Sequence, residues 1–287
     1  CKGPDYKNHS DDITGKINDE ERAIKSVGGK IEYTSDITFS SSNLLNEHGK
    51  IYNDIQKSFI RDLVKLNENT NIEENLEKLS NLKVLVIGEA IIDQYVFCEA
   101  LGKSGKEPVL VLRDLHMQQY AGGSLAIANH LSDFCENISI ISMLGEDREY
   151  EDFVHSSLSE NISATFIYKD NSPTITKRRY VDNISKNKNL GVYSINDMHL
   201  NKNNEEQLIK YIDDQIENHD LIIISDYGHG FISKRVANHI STYPVFTNLN
   251  AQINAANIGY HTLNNYNDID CVIINESEMR HEFRDKD

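Results

Sequence analysis

The spacing of hydrophobic and polar positions changes near residue 82. Between residues 51 and 81, apolar side chains recur at the spacing of one helix face, at Ile55, Phe59, Leu63 and Leu66. This predicts a charged helical connector that packs on one side. From Leu82 onward, continuous apolar runs alternate with amphipathic segments. Such alternation predicts an α/β protein whose parallel sheet has helices on both faces.

The runs after residue 82 give the order of these elements. Strands are predicted at 83–88, 95–97, 108–112, 138–143, 164–168, 174–181, 221–225 and 271–274. Helices are predicted at 124–134, 149–158 and 205–218. The strands at 95–97 and 108–112 have no helix before them, so we expect them in a small separate sheet, such as a lid.

Residues 1 to about 50 form a polar region of a different kind. A turn is predicted at Gly28-Gly29 and a short strand at 31–34, while the serines at 40–42 precede apolar residues as a helix N-cap does. The chain thus divides into residues 1–50, a connector at 51–81, and a larger domain at 82–287.

Composition narrows the classes of function. Hydrophobic residues make up 39% of the 287 residues, enough for a globular core, and the formal net charge of -16 argues against a general nucleic-acid binder. An anionic ligand would therefore need a local cluster of basic residues. The four cysteines form no CxxC pair and no apolar run is long enough to cross a bilayer. We expect a cytoplasmic protein without membrane contact.

Candidate ligand-binding residues follow the predicted strands, because ligands of open α/β sheets sit beyond the carboxyl ends of the strands. Asp93 follows the first strand, where it suits either a sugar hydroxyl or an ordinary turn. Gly122-Gly123 open a helix that contains Asn129. Paired glycines there allow a ligand to approach the backbone, although the same pair is common in turns.

Two further strands carry charged candidates. Lys177 and Arg179 alternate along one strand, so they share a face and supply the local basic pair, or else protect a solvated sheet edge. Asp226 ends another strand, and His229 follows it as a possible general base, although a single loop histidine is more often structural. Near the C-terminus, Asn275 and Glu278 suit either Mg²⁺ with its waters or a helix cap.

Taken together and in this order, residues 82–287 resemble the PfkB carbohydrate kinases, and most of all the heptose-7-phosphate kinase domains of bifunctional kinase/nucleotidyltransferases. The resemblance implies a three-layer ribokinase-like fold with a β lid. It also implies transfer of a phosphoryl group from ATP with Mg²⁺ to a sugar or sugar phosphate. The motifs that carry it are Gly88–Asp93, Gly122-Gly123 with Asn129, Thr174–Arg179, Asp226–Gly230 and Asn275–Glu278.

The resemblance also implies roles for these positions. Asp93, Gly122, Gly123, Asn129 and Asp226 would bind the sugar. Lys177 and Arg179 would approach the phosphate that the sugar already carries. Asn275 and Glu278 would hold ATP phosphates and Mg²⁺, with Glu278 nearest the metal.

One motif of the family does not occur here. No Gly-x-Gly-Asp, which supplies the catalytic aspartate in these kinases, is found in the 287 residues. We therefore expect the base to lie beyond Asp287, in a segment missing by truncation, and the fragment to be inactive.

Residues 1–50 resemble the end of a cytidylyltransferase-like domain, through Lys2–Tyr6, Gly28-Gly29 and the serine cluster. This resemblance implies that Ser40, Ser41 and Ser42 bind nucleotide phosphates, and that the transferase domain comes before the kinase domain.

Other interpretations remain open. The chain can instead be a kinase-like protein that binds a sugar and regulates or scaffolds a partner, or a protein in which only the transferase half works. The lid segment at 102–108 and residues 247–254 differ from the heptose kinase pattern, so the sugar itself is open. A homodimer through the lid strands is expected by resemblance.

Overall fold

The computed structural model describes residues 17–32, 52–67, 71–252 and 263–283. The chain divides into two compact units, Cys1–Ile72 and Glu73–Asp287. The division falls inside the stretch expected to be a connector, and the three-part division at residues 50 and 81 stays a prediction. The serines at 40–42 lie outside the described residues.

The first unit contains two described helices, α1 (Ile17–Ser26) and α2 (Asp54–Asn67). Helix α1, which the sequence pattern missed, ends at the predicted glycine turn. There the N–H of Gly29 donates to the carbonyl of Ile24, and Gly28 has a φ of 77° that an L-residue rarely adopts. Residues 31–32 have no regular structure, and the rest of the strand predicted there lies outside the described residues.

Helix α2 confirms the helical spacing predicted for the connector. It begins with a reciprocal cap, in which Asn53 and Gln56 each accept the other's backbone N–H at 2.9 Å. Its apolar side chains were expected to be covered, but Phe59 is 64% exposed and Ile55 more so.

The second unit is built on a six-stranded parallel sheet. Its strands are β1 (Lys83–Gly88), β4 (Asn137–Gly145), β5 (Ile162–Lys169), β8 (Leu221–Asp226), β9 (Phe246–Ala251) and β10 (Cys271–Val272). Their order across the sheet is β10-β9-β8-β1-β4-β5, and every neighbouring pair is parallel. The chain builds outward from β1 to β5 on one side and from β8 to β10 on the other.

Helices cover both faces of this sheet, as the continuous apolar strands predicted. Along β1, Leu85 and Ile87 face one core and Val84 and Val86 face the other. The first core packs against α6 (Lys202–Gln215) and α7 (Lys234–Ile240), and the second against α4 (Ser124–Leu131) and α5 (Glu151–Ser157). Two further helices, α3 (Ile72–Leu79) and α8 (Glu276–Phe283), complete the described set. The predicted three-layer α/β fold is confirmed.

A separate four-stranded sheet forms the predicted lid. It consists of β2 (Ala90–Lys103), β3 (Leu110–Gly123), β6 (Thr176–Asp182) and β7 (Lys188–Ser194), in the order β3-β2-β6-β7. Strands β2 and β3 form a long antiparallel hairpin, and β6 pairs parallel to β2. Both hairpin strands are far longer than predicted, because their polar, partly exposed positions hide the alternation of a strand.

Several elements differ from the sequence prediction. Strands β7 and β9 and helix α7 were missed, since each is short and rich in polar residues. Helix α4 ends at Leu131, so Phe134 lies past its end and is 50% exposed instead of sharing the predicted buried face. The last strand stops at Val272. Within the described ranges, the model contains no helix with the length and apolarity to cross a bilayer.

Candidate active site

The candidate site lies where the strand order reverses. Strands β1 and β8 are neighbours, but the chain leaves β1 in one direction across the sheet and β8 in the other. Loops after such a pair diverge and leave a crevice at the carboxyl ends of the strands, the usual place for a ligand in this kind of sheet. Glu89 follows β1, and Asp226 ends β8.

Glu89 holds the two strand ends together. Its fully buried carboxylate accepts the backbone N–H of Tyr227 at 2.8 Å and that of His229 at 3.0 Å, across 138 and 140 residues of chain. Burial, with a smaller contribution from the nearby carboxylate of Asp226, raises the pKa of Glu89 from 4.5 to about 7. Glu89 therefore fixes the shape of the loop after β8 and is poised to exchange a proton near neutral pH.

Asp226 is the second buried carboxylate of the site. It accepts the N–H of Gly228 at 2.9 Å and the hydroxyl of Tyr266. Burial raises the pKa of Asp226 from 3.8 to about 6, although both hydrogen bonds act in the opposite direction. Tyr266 comes from the segment before β10, so this bond also joins β8 to the sheet edge.

Asp93 lies on the lid strand β2 and bonds directly to Arg179 on β6. Gly122 packs against the Asp93 carboxylate so closely that an added Cβ would lie 2.2 Å from Oδ2. At Gly123, which has a φ of 62°, a Cβ would lie 2.4 Å from the backbone oxygen of Glu89. The two glycines thus bring the lid, the start of α4 and the end of β1 into direct contact.

Two lysines lie among these carboxylates. The Lys177 side chain is near Asp93, Glu89 and Asp197, and burial lowers its pKa against the effect of those acids. Lys169, at the end of β5, is almost fully buried and donates to the carbonyl oxygens of Asn196 and His229. Burial lowers the pKa of Lys169 as well, opposed by Glu89 and Asp197.

His229 has a structural environment. It is 1% exposed, and its Nδ1 lies 2.7 Å from a carboxylate oxygen of Asp197, so the ring carries its proton on Nδ1 and donates it there. Its Nε2 is buried with no hydrogen-bond partner among the described residues. These contacts indicate a structural role for His229, because neither ring nitrogen is exposed to a substrate.

The predicted residues therefore do not all come together. Gly122 contacts Asp93, which is bonded to Arg179, and Gly123, Lys177 and Asp226 all lie near Glu89 at the end of β1. Asn129 does not, because its amide donates to the carbonyl of Ser157 at 2.9 Å and accepts the N–H of Ser159 at 3.1 Å. We correct its expected sugar contact to a structural one, which joins α4 to the loop after α5.

Asn275 and Glu278 form a helix cap. Each side chain accepts the other's backbone N–H at 2.9 Å at the start of α8, which is the second of the two alternatives that the sequence allowed. The described residues contain no group of three or more His, Cys, Asp or Glu placed to hold a metal ion. A single carboxylate with one oxygen outside the cap still fits Mg²⁺, which keeps waters and binds phosphate oxygens.

Sequence reasoning missed Glu89, Lys169 and Tyr266. The signal for Glu89 was its position directly after a fully apolar strand, next to the glycine that had already been singled out. Lys169 and Tyr266 had no comparable signal, because their importance depends on which strands become neighbours.

The two sheets, their strand order and the crevice define a ribokinase-like α/β protein. The fold is similar to that of a carbohydrate kinase from Agrobacterium tumefaciens, with a TM-score of 0.51 and 17% identity, covering 70% of this chain and 62% of that one. It is also similar to phosphofructokinase-2 from Escherichia coli in complex with fructose-6-phosphate, with a TM-score of 0.52 and 14% identity, covering 71% and 65%. At these identities the likeness concerns the fold.

Sequence similarity points to a more particular relative. The chain is 28% identical over 167 residues to the bifunctional protein HldE of Nitratiruptor, covering 57% of this chain and 36% of that protein. It is 25% identical over 154 residues to HldE of Campylobacter jejuni, covering 54% and 32%. The chain thus matches about a third of the length of these curated relatives. No family model matches it. The expected resemblance to PfkB/ribokinase-like carbohydrate kinases is confirmed.

Proposed function

We propose that this chain carries the sugar site of an ATP-dependent carbohydrate kinase that acts on a sugar or sugar phosphate. The observation that carries the proposal is the contact of the Asp93–Arg179 pair with Gly122, while Gly123 packs on Glu89, which lies beside Asp226 at the β1/β8 crevice. Apart from Glu89, these residues come from two lid strands, a helix start and one strand end of the main sheet. Such a convergence of polar groups in a crevice is typical of a small-molecule site.

The chemistry of the crevice suits a carbohydrate. The Asp93 carboxylate can accept hydrogen bonds from hydroxyls, and its bond to Arg179 orients it. The Gly122-Gly123 backbone has no side chain to keep a sugar away. Lys177 lies beside both residues and contributes positive charge where a phosphoryl group would be transferred. Phosphoryl transfer depends chiefly on such positioning and neutralisation of charge.

We propose that ATP is the phosphoryl donor and that Mg²⁺ is the metal ion of this reaction. Glu278, with Asn275, is the residue we assign to the metal and the nucleotide phosphates. Mg²⁺ would neutralise phosphate charge during transfer. Both side chains also cap α8, so the Glu278 oxygen that does not accept the Asn275 N–H is the one that would face Mg²⁺ or its water.

Two further parts of the proposal rest on the relatives. From the motifs in residues 1–50 we also propose a transferase-like region in which Ser40, Ser41 and Ser42 bind nucleotide phosphates, and the relatives are named bifunctional. A homodimer through the lid is supported by exposed apolar side chains on β3, including Leu110 and Met117. Since the 287 residues contain no Gly-x-Gly-Asp, we also propose that they bind substrate without turnover.

Binding and turnover test the proposal separately. The 287-residue chain should bind a panel of sugars and sugar phosphates in calorimetry, and Asp93→Asn should weaken the tightest of them at least about tenfold, or 1.4 kcal/mol. Asp114→Asn is the matched control, since Asp114 is exposed on the lid strand β3. The complete protein with Mg²⁺ should consume ATP with the same sugar. No ATP consumption across the panel would refute the kinase assignment.

A further inference from the structure

The lid carries a second feature beyond the crevice. A groove of about 420 Å³ lies on it, lined by Tyr95, Phe97, His116, Gln118, Val181, Lys186 and Lys188. The volume is in the range of small-molecule sites. None of these lining residues is acidic, although the whole chain has a formal charge of -16. The groove is therefore a local basic surface on an acidic protein.

Strand register places this groove on the same lid face as the sugar site. Asp93 pairs with Lys177, Tyr95 with Arg179, and Phe97 with Val181 along β2 and β6. Residues two apart on a strand share a face, so the groove continues from Asp93 past Tyr95 to Phe97. At about 3.3 Å per residue, Tyr95 lies roughly 7 Å and Phe97 roughly 13 Å from Asp93 along the strand.

A bulge in β7 brings Lys188 to this face. Tyr180 pairs with Leu190, but Val181 pairs with Lys188, so Asn189 is the extra residue. In regular pairing, Asn189 would stand opposite Val181 and Lys188 would point to the other face. Bulges re-aim side chains in this way and recur next to functional sites.

The turn before β7 holds Lys186 in the groove. Its backbone has a φ of 59°, which is unfavourable for a lysine. The carboxylate of Asp182 maintains this turn by accepting the N–H groups of Ile184 and Ser185. The Lys186 ammonium consequently lies 5.0 Å from the centre of the Phe97 ring, and that of Lys188 lies 5.5 Å from the centre of the Tyr95 ring. The rings hold both cations in place.

The basic residues of the sugar site are surrounded differently. Arg179 is bonded to Asp93, and Lys177 lies near Asp93, Glu89 and Asp197. Their positive charge is largely balanced by carboxylates before any ligand binds. In the groove, the Asp182 carboxylate, which also accepts N–H groups of the turn, offsets part of the charge of Lys186. A dianionic group therefore finds more uncompensated positive charge in the groove than at Lys177 and Arg179.

We propose that the lid groove is the subsite for the phosphate already carried by the sugar, which Lys186 and Lys188 bind while the opposite end of the sugar contacts Asp93. This assignment rests on the proposed kinase function and extends its site along the lid from Asp93 to Phe97. Tyr95 and Phe97 form the apolar floor along the carbon chain.

The test measures binding to the 287-residue chain by calorimetry, with a heptose 7-phosphate and with the same heptose without phosphate. The wild-type chain should prefer the phosphorylated sugar. The double variant Lys186→Gln/Lys188→Gln should lose about tenfold in affinity for the phosphorylated sugar and none for the other. Lys103→Gln, at the exposed end of β2, is the control and should bind both as the wild type does.

Three outcomes decide the assignment. If the double variant keeps the wild-type preference, or if Lys177→Gln alone removes it, the groove is not the phosphate subsite. If the wild-type chain binds neither sugar, the proposed function fails. Binding of inorganic phosphate alone then tests whether the groove is an anion site. Phosphate-dependent NMR shifts at Phe97 and His116 that vanish in the double variant would support an anion site there, and their absence from the wild type would overturn it.

Discussion

Replacing each of the two adjacent glycines by alanine should separate stability from binding. At Gly122, the added Cβ would lie 2.2 Å from Oδ2 of Asp93 and 3.2 Å from the carbonyl oxygen of Ile91. The nearest atom ends a short side chain that is partly exposed, so Asp93 can rotate away. Its rotation breaks the bond to Arg179, which is the geometry that we assign to the sugar site.

At Gly123, the same substitution meets backbone. The Cβ would lie 2.4 Å from the carbonyl oxygen of Glu89, and the residue has a φ of 62°. The left-handed conformation alone costs an L-residue roughly 1–2 kcal/mol. Moving Glu89 would also disturb its bonds to the loop after β8, so we expect Gly123→Ala to lower the free energy of unfolding by about 3 kcal/mol or more.

Urea denaturation and calorimetric sugar binding measure the two effects on the same samples. Gly122→Ala should lower the free energy of unfolding by less than about 2 kcal/mol and reduce sugar affinity at least about tenfold. Gly123→Ala should lower the free energy of unfolding so far that part of the protein is unfolded at 25 °C. The measured sugar binding should then be proportional to the folded fraction. Normal sugar binding by Gly122→Ala, or wild-type stability of Gly123→Ala, would contradict these roles of the two glycines.

Three other predictions concern polar side chains that bond to the backbone of neighbouring segments. The folded state holds a proton on Glu89 that the unfolded state releases near pH 4.5, so stability should fall by roughly 3 kcal/mol as pH rises from 4.5 to 7. Urea titrations of the wild type and of Glu89→Gln should show this slope in the wild type and a flatter one in the variant, and a stability that rises over that window would contradict it. Lys169→Met should cost about 1–3 kcal/mol in the same assay, because the carbonyl oxygens of Asn196 and His229 lose their donor. No loss would mean that water replaces the ammonium. Asn275→Ala should cost about 1 kcal/mol through the lost cap and leave sugar affinity unchanged, whereas weaker sugar binding would tie α8 to the sugar site.

Local sequence patterns predicted the features that depend only on residues close together in the sequence. The continuous apolar run of β1 predicted a parallel sheet covered on both faces, and the strand is buried on both faces in the structure. The Gly122-Gly123 pair marked the start of α4, and two-residue alternation placed Lys177 and Arg179 on one face. The rule that ligands bind beyond strand ends selected Asp93 and Asp226 before any contact was known.

The contacts themselves needed the tertiary structure. Asp93 and Arg179 are 86 residues apart, and no local pattern links them. Asn129 shows the opposite error, since its place in a glycine-rich motif suggested a ligand contact, whereas its position on α4 turns it towards Ser157. Lys188 is a third case, because the bulge that re-aims it depends on how β7 pairs with β6.

The most direct test of the central claim is a crystal structure of the chain with a bound sugar phosphate. We expect sugar hydroxyls within hydrogen-bond distance of Asp93 and of the backbone at Gly122-Gly123, at the carboxyl end of β1. A sugar bound elsewhere on the chain, or hydroxyls that leave the Asp93–Arg179 pair untouched, would contradict it.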